Sequence, residues 1–289
     1  MRYRREISSR PVALGVLAIL SLLLAAPPSA IGQARGRSGG GKSNAPAKLH
    51  FLANEGFAIE SAGKVVLIDA LQTVGTPEHG ELSESVYSQM LAGRPPFASV
   101  ALILVSHPHK DHHVPLVAAG FLQRHPETRM AATPEVLKSL EGEPEFAAIQ
   151  AQLAEVHTRK GSGVTFTAPG VSVDFFELPH LASELYPVTV VGHLVHMGGK
   201  KILHVGDAEL GAEQLEGLGL AAKGVDVAIL PYWVFAREGA KSLIAKQIAP
   251  KKVVAMRLPM GGLQEARRMV RFLFPDAIFF TKPMQSVRF

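Results

Sequence analysis

The chain has 289 residues, 47% of them hydrophobic and 19% charged, and it contains no cysteine. This composition suits a folded domain with a substantial core, and it excludes disulfides, thiolate metal ligands and cysteine nucleophiles. The formal net charge is +5, but residues 1–34 hold four Arg and one Glu, so the remainder carries 26 basic and 24 acidic residues. That balance is too even for a nucleic-acid partner.

Residues 1–34 are organised like a secretory signal peptide. Arg2, Arg4, Arg5 and Arg10 form a basic start, Val12 to Ala26 an apolar stretch, and Gly32-Gln33-Ala34 a small-residue cleavage site. The apolar stretch is 15 residues long, short of the roughly 20 that span a bilayer. Cleavage near Arg35 is therefore expected, with no stable membrane anchor and a periplasmic or secreted location. Residues 35–47, rich in Gly, Ser and basic side chains, predict a flexible lead into a single domain over 48–289.

The domain opens with short strands over Leu49 to Ala53, Gly56 to Glu60 and Lys64 to Ile68, the last two joined by a Ser61-Ala62-Gly63 turn. A helix near Ser83 to Leu91 precedes Val100 to Val105, a continuous apolar run that suits a strand buried on both faces. Apolar spacing predicts helices over Pro115 to Leu122, Pro134 to Leu140 and Phe146 to Val156. Strands then return at Val164 to Thr167, Val171 to Leu178, Val188 to Met197 and Lys201 to Val205. The remainder alternates: a helix near Ala212 to Leu218, a strand at Val225 to Leu230, a helix near Gly239 to Gln247, a strand at Lys252 to Met256, a helix at Leu263 to Leu273 and a strand at Ala277 to Thr281. Each half thus runs from consecutive strands into strand and helix alternation, which predicts an α/β fold with two packed sheets and helices outside, an αββα sandwich.

Chemistry concentrates in Ser106-His107-Pro108-His109-Lys110-Asp111-His112-His113, directly after the apolar strand. Residues two apart in an extended segment point to the same side, so His107 and His109 can reach one cation, with Asp111 and His112 beside them. Imidazole and carboxylate donors suit zinc and, less selectively, iron or manganese. His113 is expected behind the site or at the surface, and His204 beside the metal loop with one ring nitrogen bound to backbone. Tyr232 and Trp233 are candidates for a substrate pocket or for ordinary packing.

These residues resemble the signature loop of the metallo-β-lactamase superfamily, and the resemblance covers most of residues 48–289. It implies a metal-dependent hydrolase with zinc, one or two ions, in which His107, His109 and His180 surround one metal, Asp111 and His112 face a second, and Asp207 of Gly206-Asp207 bridges them. Asp69 matches a family position that supports the metal loop from below, although a strand-end turn is an alternative. His193 competes with His180, but it lies inside a strand whereas His180 lies at a strand end. Asp207 has the alternative of capping a following helix.

The chain departs from the family at Arg257, in Val253-Val254-Ala255-Met256-Arg257-Leu258-Pro259, where a final His is expected; the last of the 12 His is His204. A guanidinium stays protonated and cannot ligate a metal. Arg257 is therefore expected to oppose a second ion and make the centre mononuclear or asymmetric, holding a substrate anion or a developing oxyanion, unless it turns outward into a surface ion pair. Asp111 is the candidate to orient the attacking water. The expected partner is a small molecule carrying an ester, lactone, amide or phosphoester bond. A phosphodiesterase and a non-catalytic metal- or ligand-binding protein are the competing readings.

Overall fold

The computed structural model describes residues 45–75, 80–185, 187–259 and 261–289. The signal-like leader, and all of the expected flexible lead except residues 45–47, lie outside the described residues. Residues 45–47 already pack on the domain: Ala47 is buried, its carbonyl accepts from the Phe289 N–H at 2.9 Å, and the Ala45 carbonyl accepts from Ser61 Oγ at 3.0 Å. Among the described residues no helix is long and apolar enough to cross a membrane.

Among the described residues the fold is built on two seven-stranded sheets, with a short parallel pairing of Val74–Gly75 and Leu82–Ser83 beside them. The strands of the first are β1 (Lys48–Phe51), β2 (Phe57–Ser61), β3 (Lys64–Ile68), β4 (Val100–Leu104), β5 (Arg129–Ala132) and β6 (Leu153–Glu155), joined at the chain end by β14 (Ser286–Arg288). The second contains β7 (Gly163–Ala168), β8 (Val171–Pro179), β9 (Thr189–Met197), β10 (Lys200–His204), β11 (Val227–Pro231), β12 (Lys252–Met256) and β13 (Ile278–Phe279). In the first sheet β14, β1, β2 and β3 are antiparallel neighbours and β3 to β6 run parallel. The second matches it: β7 to β10 are antiparallel and β10 to β13 parallel. The αββα reading holds.

Burial follows the pleat. Val66 and Ile68 of β3, with Leu102 and Leu104 of β4, belong to the core that includes Phe175, Leu194 and Ile229 of the second sheet. Their neighbours Val65, Leu67 and Ile103 point the other way, into a separate apolar layer with Phe121 and Leu122. Those two side chains come from the helix Pro115–Arg124, which starts on a proline. A strand covered on both faces needs an unbroken apolar run, which is what residues 100–104 supply.

Two expectations change. The helix foreseen over Phe146 to Val156 stops at Ile149, and Leu153–Glu155 becomes a strand parallel to β5, itself unforeseen. Gln152 accounts for the change: its side-chain amide reaches the carbonyls of Leu122, His125 and Thr128 at 2.9–3.1 Å, pinning the chain at the sheet edge where a helix would carry it away. At the C-terminus, the strand foreseen over Ala277 to Thr281 shrinks to Ile278–Phe279, while Ser286–Arg288 pairs with β1.

The ends of β3, β4, β8, β10 and β12 converge on one side of the sandwich, the position at which open α/β sheets carry their sites. Three residues just beyond strand ends turn the chain there through left-handed backbone: Asp69 (φ 48°), Gly206 (φ 55°) and Arg257 (φ 58°). A Cβ on Gly206 would sit 2.7 Å from Cβ and Oγ of Ser106, at the head of the His-rich loop. Gly206→Ala combines that clash with left-handed strain and should cost roughly 2–4 kcal/mol, measured by urea unfolding; unchanged stability would show that the two loops do not bear on each other.

Candidate metal centre

The His-rich loop is built on a buried carboxylate. Asp69 accepts the Ser106 backbone N–H at 2.7 Å, the Ser106 hydroxyl at 2.6 Å and His112 Nδ1–H at 2.8 Å. Burial alone would raise its pKa, but His112, His204 and the Ser106 hydroxyl outweigh it and hold Asp69 well below the usual carboxylate range. The role foreseen for Asp69, support from below, is the one its contacts define.

The same contacts orient the histidines. A serine hydroxyl has one proton, and Ser106 gives it to Asp69, so Ser106 Oγ accepts from His107 Nδ1 at 3.0 Å. The lone pair of His107 therefore sits on Nε2, which points at His109 Nδ1 3.0 Å away. His180 Nδ1 bonds the Leu181 carbonyl, so Nε2 is the nitrogen that could ligate a metal. Burial depresses the His107 pKa to about 2 and lowers that of His109, so both rings are neutral, the form that ligates metals.

Donor atoms of His107, His109 and His180 lie within 4.8 Å of one another. Two imidazole nitrogens 3.0 Å apart repel unless a proton or a cation lies between them, and three imidazoles in this arrangement fit a zinc-like ion with positions left open. His180, rather than His193, joins the group. His193 is buried in the sheet against the Phe175 ring at 5.0 Å, and burial takes its pKa down to about 3.

A second group adjoins the first. Glu55, Asp111, His112 and Asp207 also present donor atoms within 4.8 Å of one another, and His107, His112 and Asp207 form an overlapping set. Arg257 stands among these carboxylates, with Nε 2.6 Å from Glu55 Oε1 and 3.1 Å from Asp207 Oδ1, and a terminal nitrogen 2.7 Å from Asp111 Oδ2 and bonded to Asp207 Oδ2. The guanidinium thus turns inward, not to the surface. Asp207 lies buried between His112 and Arg257, which hold its pKa far down against the effect of burial. It does not cap the next helix, Ala212–Leu215, whose N-cap is Gly211.

Glu55 was not foreseen. Asn54-Glu55-Gly56 reads as an ordinary turn between two strands, and only the fold carries it to the site. Burial drives the Glu55 pKa up to about 8, against the pull of His112 and Arg257. Gly56 lets the turn approach: a Cβ there would lie 3.1 Å from the Asp69 carbonyl.

The remaining candidates are supports. His204 accepts the Gly206 N–H on Nδ1 at 3.2 Å and donates from Nε2 to the Glu55 carbonyl at 3.1 Å, as its backbone role foresaw. His113 is buried and bonds Ser139 Oγ at 3.1 Å. A cleft of about 450 Å³ opens over the centre, lined by His109, Asp111, His180, Asp207, Trp233 and Arg257 among others. Trp233 donates its indole N–H to the Ala208 carbonyl at 3.2 Å and lies 5.9 Å from the Arg257 guanidinium. Tyr232 is not among the residues lining this cleft.

The fold agrees with comparisons to known proteins. A family model described as a beta-lactamase superfamily domain matches residues 64–262, well over half the chain. The chain belongs to the metallo-β-lactamase superfamily. Its sequence is 27% identical to that of a metal-dependent hydrolase of Symbiobacterium thermophilum over 214 residues, 72% of this chain and 83% of that one. Among solved structures, a metallo hydrolase of Ignicoccus hospitalis superposes with a TM-score of 0.59 at 20% identity, covering 84% of this chain and 98% of that one. A metallo-β-lactamase fold protein of Bacillus subtilis gives 0.54 at 15% identity, covering 84% and 99%. These two share the fold.

Ser106 is the residue to test, since it touches the histidines without facing the cleft. Ser106→Ala should leave the fold intact and weaken metal binding by about 10–100-fold, read from a competitive zinc titration; an unchanged affinity would show that the hydroxyl does not orient His107.

Proposed function

We propose that this metal-dependent hydrolase of the metallo-β-lactamase fold holds its metal on His107, His109 and His180 and cleaves a small ester, lactone, amide or phosphoester in the cleft above them. The observation that carries the reading is the convergence of three imidazoles beneath an open cleft, with Ser106 orienting His107 and the Leu181 carbonyl orienting His180. A divalent ion such as zinc, iron or manganese, when bound there, supplies an activated water and polarises the bond under attack. Asp111, partly exposed at the cleft wall, would orient that water or accept its proton. Arg257 borders the cleft with its exposed part and stabilises negative charge developing on the substrate. Trp233 gives an apolar surface for the substrate body.

His107→Ala should abolish tight metal binding and reduce hydrolysis by at least about 1,000-fold, followed on a panel of chromogenic esters, lactones, β-lactams and phosphodiesters. Full activity in this variant, or activity that survives complete metal removal, would overturn the assignment.

The leader supports export to the periplasm or beyond. Expressed with its native N-terminus in a bacterial host, the protein should be recovered outside the cytoplasm with a new N-terminus near Arg35, read by N-terminal sequencing; a full-length cytoplasmic product would refute export.

A further inference from the structure

Beside the three histidines, Glu55, Asp111, His112 and Asp207 make a cage of hard oxygen and borderline nitrogen donors of the kind that takes a divalent cation. What stands among them is the chain's own Arg257. Its guanidinium meets Glu55, Asp111 and Asp207, yet it leaves two buried donors over: Glu55 Oε2 and His112 Nε2 make no hydrogen bond, and both residues are shut off from solvent. His112 Nε2 is aimed into the cage, 3.4 Å from Asp207 and 3.7 Å from Glu55. A planar guanidinium only donates, and only along its N–H directions, whereas a spherical ion collects lone pairs from every side. The donor set therefore exceeds what its occupant can use. Arg257 also adopts left-handed backbone at φ 58°, a conformation that costs a non-glycine residue and persists where surrounding contacts impose it.

We infer that this cage is a divalent-cation site in which the Arg257 guanidinium serves as a built-in second cation, limiting the protein to one bound metal ion. The inference rests on the three-histidine reading for that one ion, and stoichiometry separates the two. Purified full-length protein, stripped and then titrated with Zn²⁺, should bind one equivalent, with none added up to millimolar Zn²⁺. Arg257→Ala should bind two. Arg257→Gly, which suits the left-handed backbone and so keeps the fold within reach, should also bind two, while Arg257→Lys stays at one. Adding Glu55→Gln to Arg257→Gly should weaken the second equivalent at least tenfold. Titration with Co²⁺, whose visible absorption reports coordination, should show a second spectral species only when the guanidinium is gone. Two equivalents in the unmodified protein, or one in both Arg257→Ala and Arg257→Gly, would overturn the inference. No Zn²⁺ in the unmodified protein would instead refute the three-histidine site; the cage would then stand if Arg257→Gly gained one equivalent and fall if it gained none.

Discussion

Asp69 has no exposed surface, and its two oxygens take hydrogen bonds from the Ser106 amide, the Ser106 hydroxyl and His112. Losing any one of these partners would leave a buried carboxylate short of one hydrogen bond, which costs about 1–3 kcal/mol. The loop after β4 is consequently fixed at both ends of its ligand run, and the direction of each imidazole follows from which ring nitrogen Asp69 and Ser106 have claimed. Gly206 closes against Ser106 from the second sheet, and the Ser106 carbonyl accepts the Val191 N–H at 2.8 Å, so one residue ties both sheets to the loop. The sandwich and the centre are therefore mechanically one object.

Charge balance decides the rest. Asp69, Asp111 and Asp207 bring three carboxylates together beside Glu55, a fourth acid whose pKa burial raises to about 8. His112 gives Nδ1–H to Asp69 and turns Nε2 toward Asp207 at 3.4 Å and Glu55 at 3.7 Å. Arg257 meets the other three, and its own pKa rises through contact with Asp207, Glu55 and Asp111. An arginine at the end of β12, where the family resemblance implies a histidine, thus does more than omit a ligand. It puts a permanent positive charge where a ligand would have needed a cation to meet.

The parts legible from sequence were those written locally. His107, His109, Asp111 and His112 fall within six residues, and the apolar run before them marks the strand that delivers them. His180 and Asp207 were legible by resemblance and by their place at strand ends. Arg257 was legible as an anomaly, but its contacts were not, since Asp111 lies 146 residues away in the chain and the choice between an inward and an outward guanidinium depends on which carboxylates the fold brings near. Glu55 was invisible for the same reason: a Glu before a Gly in a turn is unremarkable until the β1–β2 connection is placed against β3 and β12. The helix foreseen over 146–156 failed because local spacing carries no trace of the three carbonyls that capture Gln152.

A guanidinium in a carboxylate cage is supplied by translation and not by the cell's metal inventory. It is present at one copy per chain, no chelator can withdraw it and no competing metal can displace it by mass action. A chain carrying several buried acids would ordinarily have to fold against their mutual repulsion until ions arrived. Here part of that repulsion is relieved as soon as β12 docks, because Arg257 carries its charge with the chain.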